Sequence, residues 1–220
     1  MTTEIRRGSE RFVEREPGRL TRHSMSFGAS YDPENLRFGA MVCHDDHLLG
    51  QGNGFETHHH SGLDIVTWVV SGAVRHADAT GAEHVVEADS VAVLHTGAGV
   101  DHSEFAAAPQ TRFVQVWLTP DDDAPDEPSY AVTPITPVEG ELTPVTTLPG
   151  GTFSIARLGE GETFTLPAAP LVHVYVARGA LVRAGLAEPL HEGDAYRFTD
   201  EPGHAVTTGV PTDLLIWTLD

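Results

Sequence analysis

The chain has 220 residues, 40% of them hydrophobic, enough to bury a sizeable core as one large β domain or two small ones and too apolar for a disordered tail. Its 32 acidic residues against 13 basic ones give a formal net charge of -19, which repels phosphate backbones and argues against direct nucleic-acid binding. Cys43 is the single cysteine, which excludes an internal disulfide and a cysteine-based zinc cluster, so metal chemistry has to use histidine and carboxylate.

In chain order, the N-terminal stretch MTTEIRRGSERFVEREPGR carries charges where a secretory signal would carry an apolar run, and no run of about 18 apolar residues follows it. The expectation is a cytoplasmic protein without a membrane partner. The rest of the chain shows little helical periodicity and many short β-type runs, among them Leu63–Val70, Val91–Leu94, Arg112–Leu118 and Leu214–Trp217. Each is bounded by Gly, Pro, Asp or Ser, the residues of turns, at the spacing of a sandwich or barrel. The pattern predicts an all-β fold. From Pro120 to Pro149 the sequence turns rich in proline and acid, which favours an extended, polyproline-like connector over a packed strand. The predicted organisation is therefore a first domain at 1–120, a connector at 121–149 and a second domain at 150–220.

The two sides of the connector resemble one another. Val69–Val74 (VVSGAV) is similar to Val176–Leu181 (VARGAL), Val86–Val91 (VEADSV) to Leu190–Ala195 (LHEGDA), and Arg112–Trp117 (RFVQVW) to Asp213–Trp217 (DLLIW). Three matches in the same order point to an internal duplication, each half forming one small barrel.

The run GNGFETHHHSG places three histidines in a row. Strand side chains alternate faces, so His58 and His60 point one way and His59 the other. A second piece, GAGVDHSE, sets His102 and Glu104 two residues apart behind a glycine-rich turn, again on one face. Two such pairs converging inside a barrel give three imidazoles and one carboxylate, a mixed set that leaves open positions on an octahedral ion, as in non-haem iron(II) centres. His59 is expected to face solvent or support a ligand. His76, His84 and His95 are expected in turns or on strand surfaces, and Trp68, Trp117 and Trp217 in the core.

The combination of GNGFETHHHSGLDIVTWVVSGAVRHADATG, GAGVDHSEF and TRFVQVWLTP resembles the pirin family of the cupin superfamily, with further similarity at Ser26–Pro33 and Phe38–Val42. The resemblance covers most of residues 6 to 120 and, more faintly, the rest. It implies a bicupin: two cupin-type β-barrels packed against each other, with metal in the N-terminal barrel at His58, His60, His102 and Glu104. Where the family usually has proline between the first two ligands, this chain has His59. Lining up the internal repeat puts Thr165, Pro167, Thr207 and Gly209 near the four ligand positions of the second half, so that barrel is expected to bind no metal.

The resemblance implies one divalent ion, Fe(II) first, with Ni, Co, Mn, Cu or Zn as alternatives that such a site accepts according to supply. It also implies a quercetin 2,3-dioxygenase-type oxidoreductase acting on a flavonol-like aromatic substrate and O2, with Glu104 as both ligand and base for the flavonol hydroxyl proton. Two other readings share the same fold and ligands: an iron-dependent redox sensor that regulates by protein-protein contact, and a metal-stabilised barrel without turnover.

Overall fold

The computed structural model describes residues 2–121, 125–183 and 189–220. Strands dominate it. The first half runs through β1 (Thr2–Arg6), β2 (Phe12–Glu16), β3 (Arg19–His23), β4 (Met41–Leu49), β5 (Gly54–His60), β6 (Asp64–Ser71) and β7 (Ala73–Asp78). It continues with β8 (Glu83–Glu87), β9 (Ser90–His95), β10 (Val100–Ala106), β11 (Thr111–Leu118) and β12 (Ser129–Pro134). The second half comprises β13 (Leu142–Leu148), β14 (Gly151–Leu158), β15 (Thr163–Leu166), β16 (Ala169–Arg178) and β17 (Ala180–Arg183). It closes with β18 (Leu190–His191), β19 (Ala195–Glu201), β20 (His204–Thr208) and β21 (Thr212–Leu219). The all-β prediction holds.

The strands form two compact units, one from Phe12–Arg37 and Met41–Ile135, the other from Met1–Arg11, Phe38–Ala40 and Thr136–Asp220. Each contains a large and a small sheet. In the first unit these are ordered β12-β9-β6-β11-β4-β3-β2 and β5-β10-β7-β8; in the second, β1-β19-β16-β21-β14-β13 and β15-β20-β17-β18. The small sheets have four strands each, and the large ones correspond from β12 to β3 against β1 to β13, with β2 as an extra edge strand in the first unit, an arrangement in keeping with the internal duplication read from the sequence. The matched turn VVSGAV and VARGAL also has a shared cause. Gly72 and Gly179 both take a positive φ, and a Cβ on either would collide with the threonine that opens the strand alongside, Thr111 of β11 or Thr212 of β21. Only glycine fits there.

The central strands β6, β11, β16 and β21 are buried along nearly their whole length, which is why they read as continuous apolar runs rather than alternating ones. The first core gathers Leu49, Val69, Val74, Val86, Ala92 and Phe113. The second is larger and includes Val174, Tyr196, Phe198 and Ile216.

The expected boundaries need correction. β12 and β13 lie inside the stretch read as a connector, where β12 pairs with β9 over Ser129–Pro134 and β13 pairs with β14. Both stand at the edge of their sheets. An edge strand has one side that needs no ladder donor, so proline is tolerated there, and a proline-rich sequence does not exclude a strand. Residues 122–124 of the predicted connector lie outside the described residues. β1, expected in the N-terminal domain, pairs instead with β19 in the second unit, from Thr2 opposite Thr199 to Arg6 opposite Ala195. That pairing spans nearly the whole chain and leaves no local trace in the sequence.

Candidate metal centre

β5 and β10 carry the predicted ligands, and their register explains the convergence. His58 lies opposite His102 and His60 opposite Val100, with a bulge between His102 and Glu104. Along β10 the burial alternates, His102, Glu104 and Ala106 being buried between more accessible neighbours. The nitrogen atoms of His58, His60 and His102 approach within 4.8 Å of one another, a group able to hold a metal ion. Glu104 stands outside that group, beyond the bulge and on the same inward face.

The electrostatics suit cation binding. Burial, together with the neighbouring imidazoles, pushes His60 down to about 4 and His102 down to about 3, so both are neutral near pH 7 and keep a lone pair to donate. His102 is 1% exposed, and neither of its ring nitrogens has a hydrogen-bond partner. A buried imidazole left in that state costs free energy unless something accepts its lone pair, and a metal ion fits. His58 donates from Nδ1 to the carbonyl oxygen of Glu56 at 2.7 Å, which fixes its tautomer and leaves Nε2 to coordinate.

Glu104 is held by a residue that sequence reasoning passed over. Gln115 on β11 donates from Nε2 to both carboxylate oxygens, at 3.1 and 3.0 Å, and accepts at Oε1 from the Trp117 indole at 2.8 Å. An indole N–H can only donate, so the amide orientation is settled and the Glu104 oxygens must accept. Burial nevertheless raises the Glu104 carboxyl above its ordinary range, opposed by the Gln115 bond and by His58. The signal for Gln115 was a single amide in the otherwise apolar run RFVQVWL.

A cavity of about 220 Å³ reaches His58, His60 and Glu104 and has Phe27, Phe55 and Trp117 in its wall. The Trp117 ring stands edge-on to His60 at 4.7 Å and Phe27 edge-on to Trp117 at 5.5 Å. Trp68 and Trp217 are core residues as expected, whereas Trp117 lines the cavity.

Residues 6–118, just over half the chain, match the family model of pirin. A Mycobacterium tuberculosis protein named "Putative quercetin 2,3-dioxygenase" is 37% identical over 232 residues, covering 98% of this chain and 94% of its own. The chain belongs to the pirin family. A second relative, an Escherichia coli protein named quercetin 2,3-dioxygenase, is 32% identical over 103 residues, 46% of this chain and 45% of its own. Among solved structures, the Escherichia coli bacterial pirin YhhW in complex with nickel(II) superimposes with a TM-score of 0.89 at 21% identity over 99% of both chains. The pirin fold is thus shared at an identity too low to carry function.

Other predicted positions sort differently within this pirin. His59 is exposed and pairs with Asp101 at 3.1 Å. His95 bonds Asp64 at 2.7 Å near the surface. His76 corrects the expectation of a surface residue: it is 1% exposed on β7, directly opposite Glu104, stacked on Tyr130 at 3.8 Å and 5.1 Å from the His102 ring. Its inward face follows from the register of β7 against β10, which no short sequence window records. In the second unit the strand pair equivalent to β5 and β10 sets Thr163 opposite Thr207 and Thr165 opposite Ala205, with no imidazole or carboxylate at these positions.

Proposed function

We propose that the protein is a metal-dependent dioxygenase that cleaves quercetin-type flavonols with O2, its ion held by His58, His60 and His102 together with Glu104. The observation that carries this reading is the convergence of three imidazoles, two of which, His58 and His60, line a cavity with aromatic residues in its wall. The names of the relatives support the substrate class. A redox-capable divalent ion, Fe(II) first, would supply polarisation of an enolic hydroxyl and a binding position for dioxygen.

The chain's own groups do the rest. Phe27, Phe55 and Trp117 offer flat apolar surface to a planar substrate and exclude water from it. Glu104 accepts the proton of the flavonol 3-hydroxyl. Gln115 keeps both carboxylate oxygens as acceptors until that proton arrives, and burial lifts the carboxyl toward the range useful for a base near neutral pH. Fixing the His58 tautomer through Glu56 keeps the imidazole ready without reorganisation.

The test is an aerobic assay of the iron-loaded protein against flavonols, following oxygen uptake and carbon monoxide release alongside metal analysis. Glu104→Gln is expected to retain part of the metal, since an amide oxygen still coordinates, while turnover falls by about 10² to 10⁴, the usual cost of losing a general base. If the wild type takes up no oxygen with any flavonol, yet binds a partner protein differently as iron(II) and iron(III), the regulatory reading replaces this one.

A further inference from the structure

The cavity that reaches His58 and His60 also has polar residues in its wall. β3 and β4 contribute Thr21, His23, Asp45 and His47 to it, all buried to 5% exposure or less. Their register sets Thr21 opposite His47 and His23 opposite Asp45, and each pair is hydrogen bonded, at 2.9 and 2.8 Å. Four buried polar side chains on two adjacent strands are costly in a barrel interior that apolar residues could fill, and internal pairing satisfies only part of their capacity.

In His23 one ring nitrogen makes only a long contact. Nδ1 is bound to Asp45, but Nε2 lies 3.7 Å from the nearest Glu14 oxygen, beyond hydrogen-bond range. Arg19 pairs with the other Glu14 oxygen, Oε1, at 2.6 Å. Burial pulls the His23 pKa down, yet Asp45 and Glu14 outweigh it and the net shift is upward, favouring the form in which both ring nitrogens donate.

The polar residues and the metal end are joined by aromatic rings. His23 stacks on Phe27 at 5.0 Å and 10°, Phe27 meets Trp117 at 5.5 Å, and Trp117 meets His60 at 4.7 Å. A planar molecule laid along this wall would place one end at the imidazole cluster and a remote ring near His23.

We propose that His23, held in place by Asp45, is a specificity-determining residue that donates a hydrogen bond to a distal hydroxyl of a polyhydroxylated aromatic whose enolic end lies at His58 and His60. This assignment rests on the flavonol reading above and deepens it. It predicts discrimination by hydroxylation pattern, because a buried donor left unpaired by a ligand without the hydroxyl penalises that ligand.

The experiment is an anaerobic titration of the iron(II)-loaded full chain with quercetin and with 3-hydroxyflavone, which lacks hydroxyls on its outer rings. Binding is read by quenching of tryptophan fluorescence, and folding of each variant by thermal melting. Wild type is expected to bind quercetin at least about tenfold more tightly. His23→Gln should weaken quercetin binding by about 10- to 100-fold, the range of a hydrogen bond to a charged group, and change 3-hydroxyflavone by less than about threefold. Asp45→Asn, which keeps His23 and loosens its hold, should give an intermediate loss confined to quercetin. Equal losses for both ligands, or a wild type that binds quercetin no better than 3-hydroxyflavone, overturns the assignment. Discrimination that survives without oxygen uptake in air removes the dioxygenase reading and keeps His23 as a recognition residue.

Discussion

His23 and His47 face the same cavity from adjacent strands and answer to pH in opposite directions. The folded-state pKa of His23 lies above the ordinary 6.5, so its contribution to stability is complete below that value and is lost as pH rises through the raised one. His47 is driven by burial down to about 4, against the pull of Asp45 and Asp46. Above pH 6.5 it is neutral folded or unfolded; as pH falls from 6.5 toward 4 the unfolded chain takes up a proton the folded one refuses, and stability declines. His23→Gln should therefore lower the melting temperature more at pH 6 than at pH 9, whereas His47→Gln should flatten the acid-side decline. Thermal melts of the metal-free protein across that pH range measure both, and shifts independent of pH would contradict the assigned directions. The run HDDH at His44–His47 displayed these polar residues in the sequence, but not their partners, because Thr21 and His23 reach them only through the β3 to β4 register.

At the scale of the element, the site depends on how closely β5 lies against β10. A Cβ placed on Gly54 would run into the backbone carbonyl of Glu104 and approach the Phe105 Cα to 2.7 Å, so no larger residue fits without parting the strands. Gly54→Ala is expected to destabilise the fold by about 1–3 kcal/mol, the usual range for overpacking, and to reduce metal occupancy by displacing His102 from His58. Denaturant unfolding and metal analysis of the purified variant check this. His59→Ala, on the exposed face of the same strand, should leave occupancy unchanged. The alternation of His58, His59 and His60 was readable because a strand has period two; the bulge that follows His102 was not, since it belongs to the pairing and not to either strand alone.

At the scale of the whole molecule, one architecture is used twice with different interiors. The first unit carries the three-histidine group found among the described residues, while in the equivalent strands of the second Thr163 faces Thr207, Thr165 faces Ala205, and the one imidazole, His204, stands opposite Leu166. One ion per chain is the expected stoichiometry, and His58→Ala with His102→Ala should abolish it. At a hundredfold excess over Kd the ion should stabilise the folded chain by about 2.7 kcal/mol, raising the melting temperature by roughly 5–10 °C for a chain of this size. Retention of a full equivalent by the double variant would put the ligands elsewhere.

The sequence by itself determined the β class, and it pointed to the duplication and to His58, His60, His102 and Glu104 as candidates, because each is written in short-range periodicity or in a contiguous motif. The edge strand β12, the pairing of β1 with β19, the buried place of His76 and the grip of Gln115 on Glu104 were decided only in three dimensions. All four arise from contacts between residues distant in the chain. A window of a few residues records which face a side chain takes on its own strand, while the partner across the sheet is fixed by register, and register is a property of the assembled barrel.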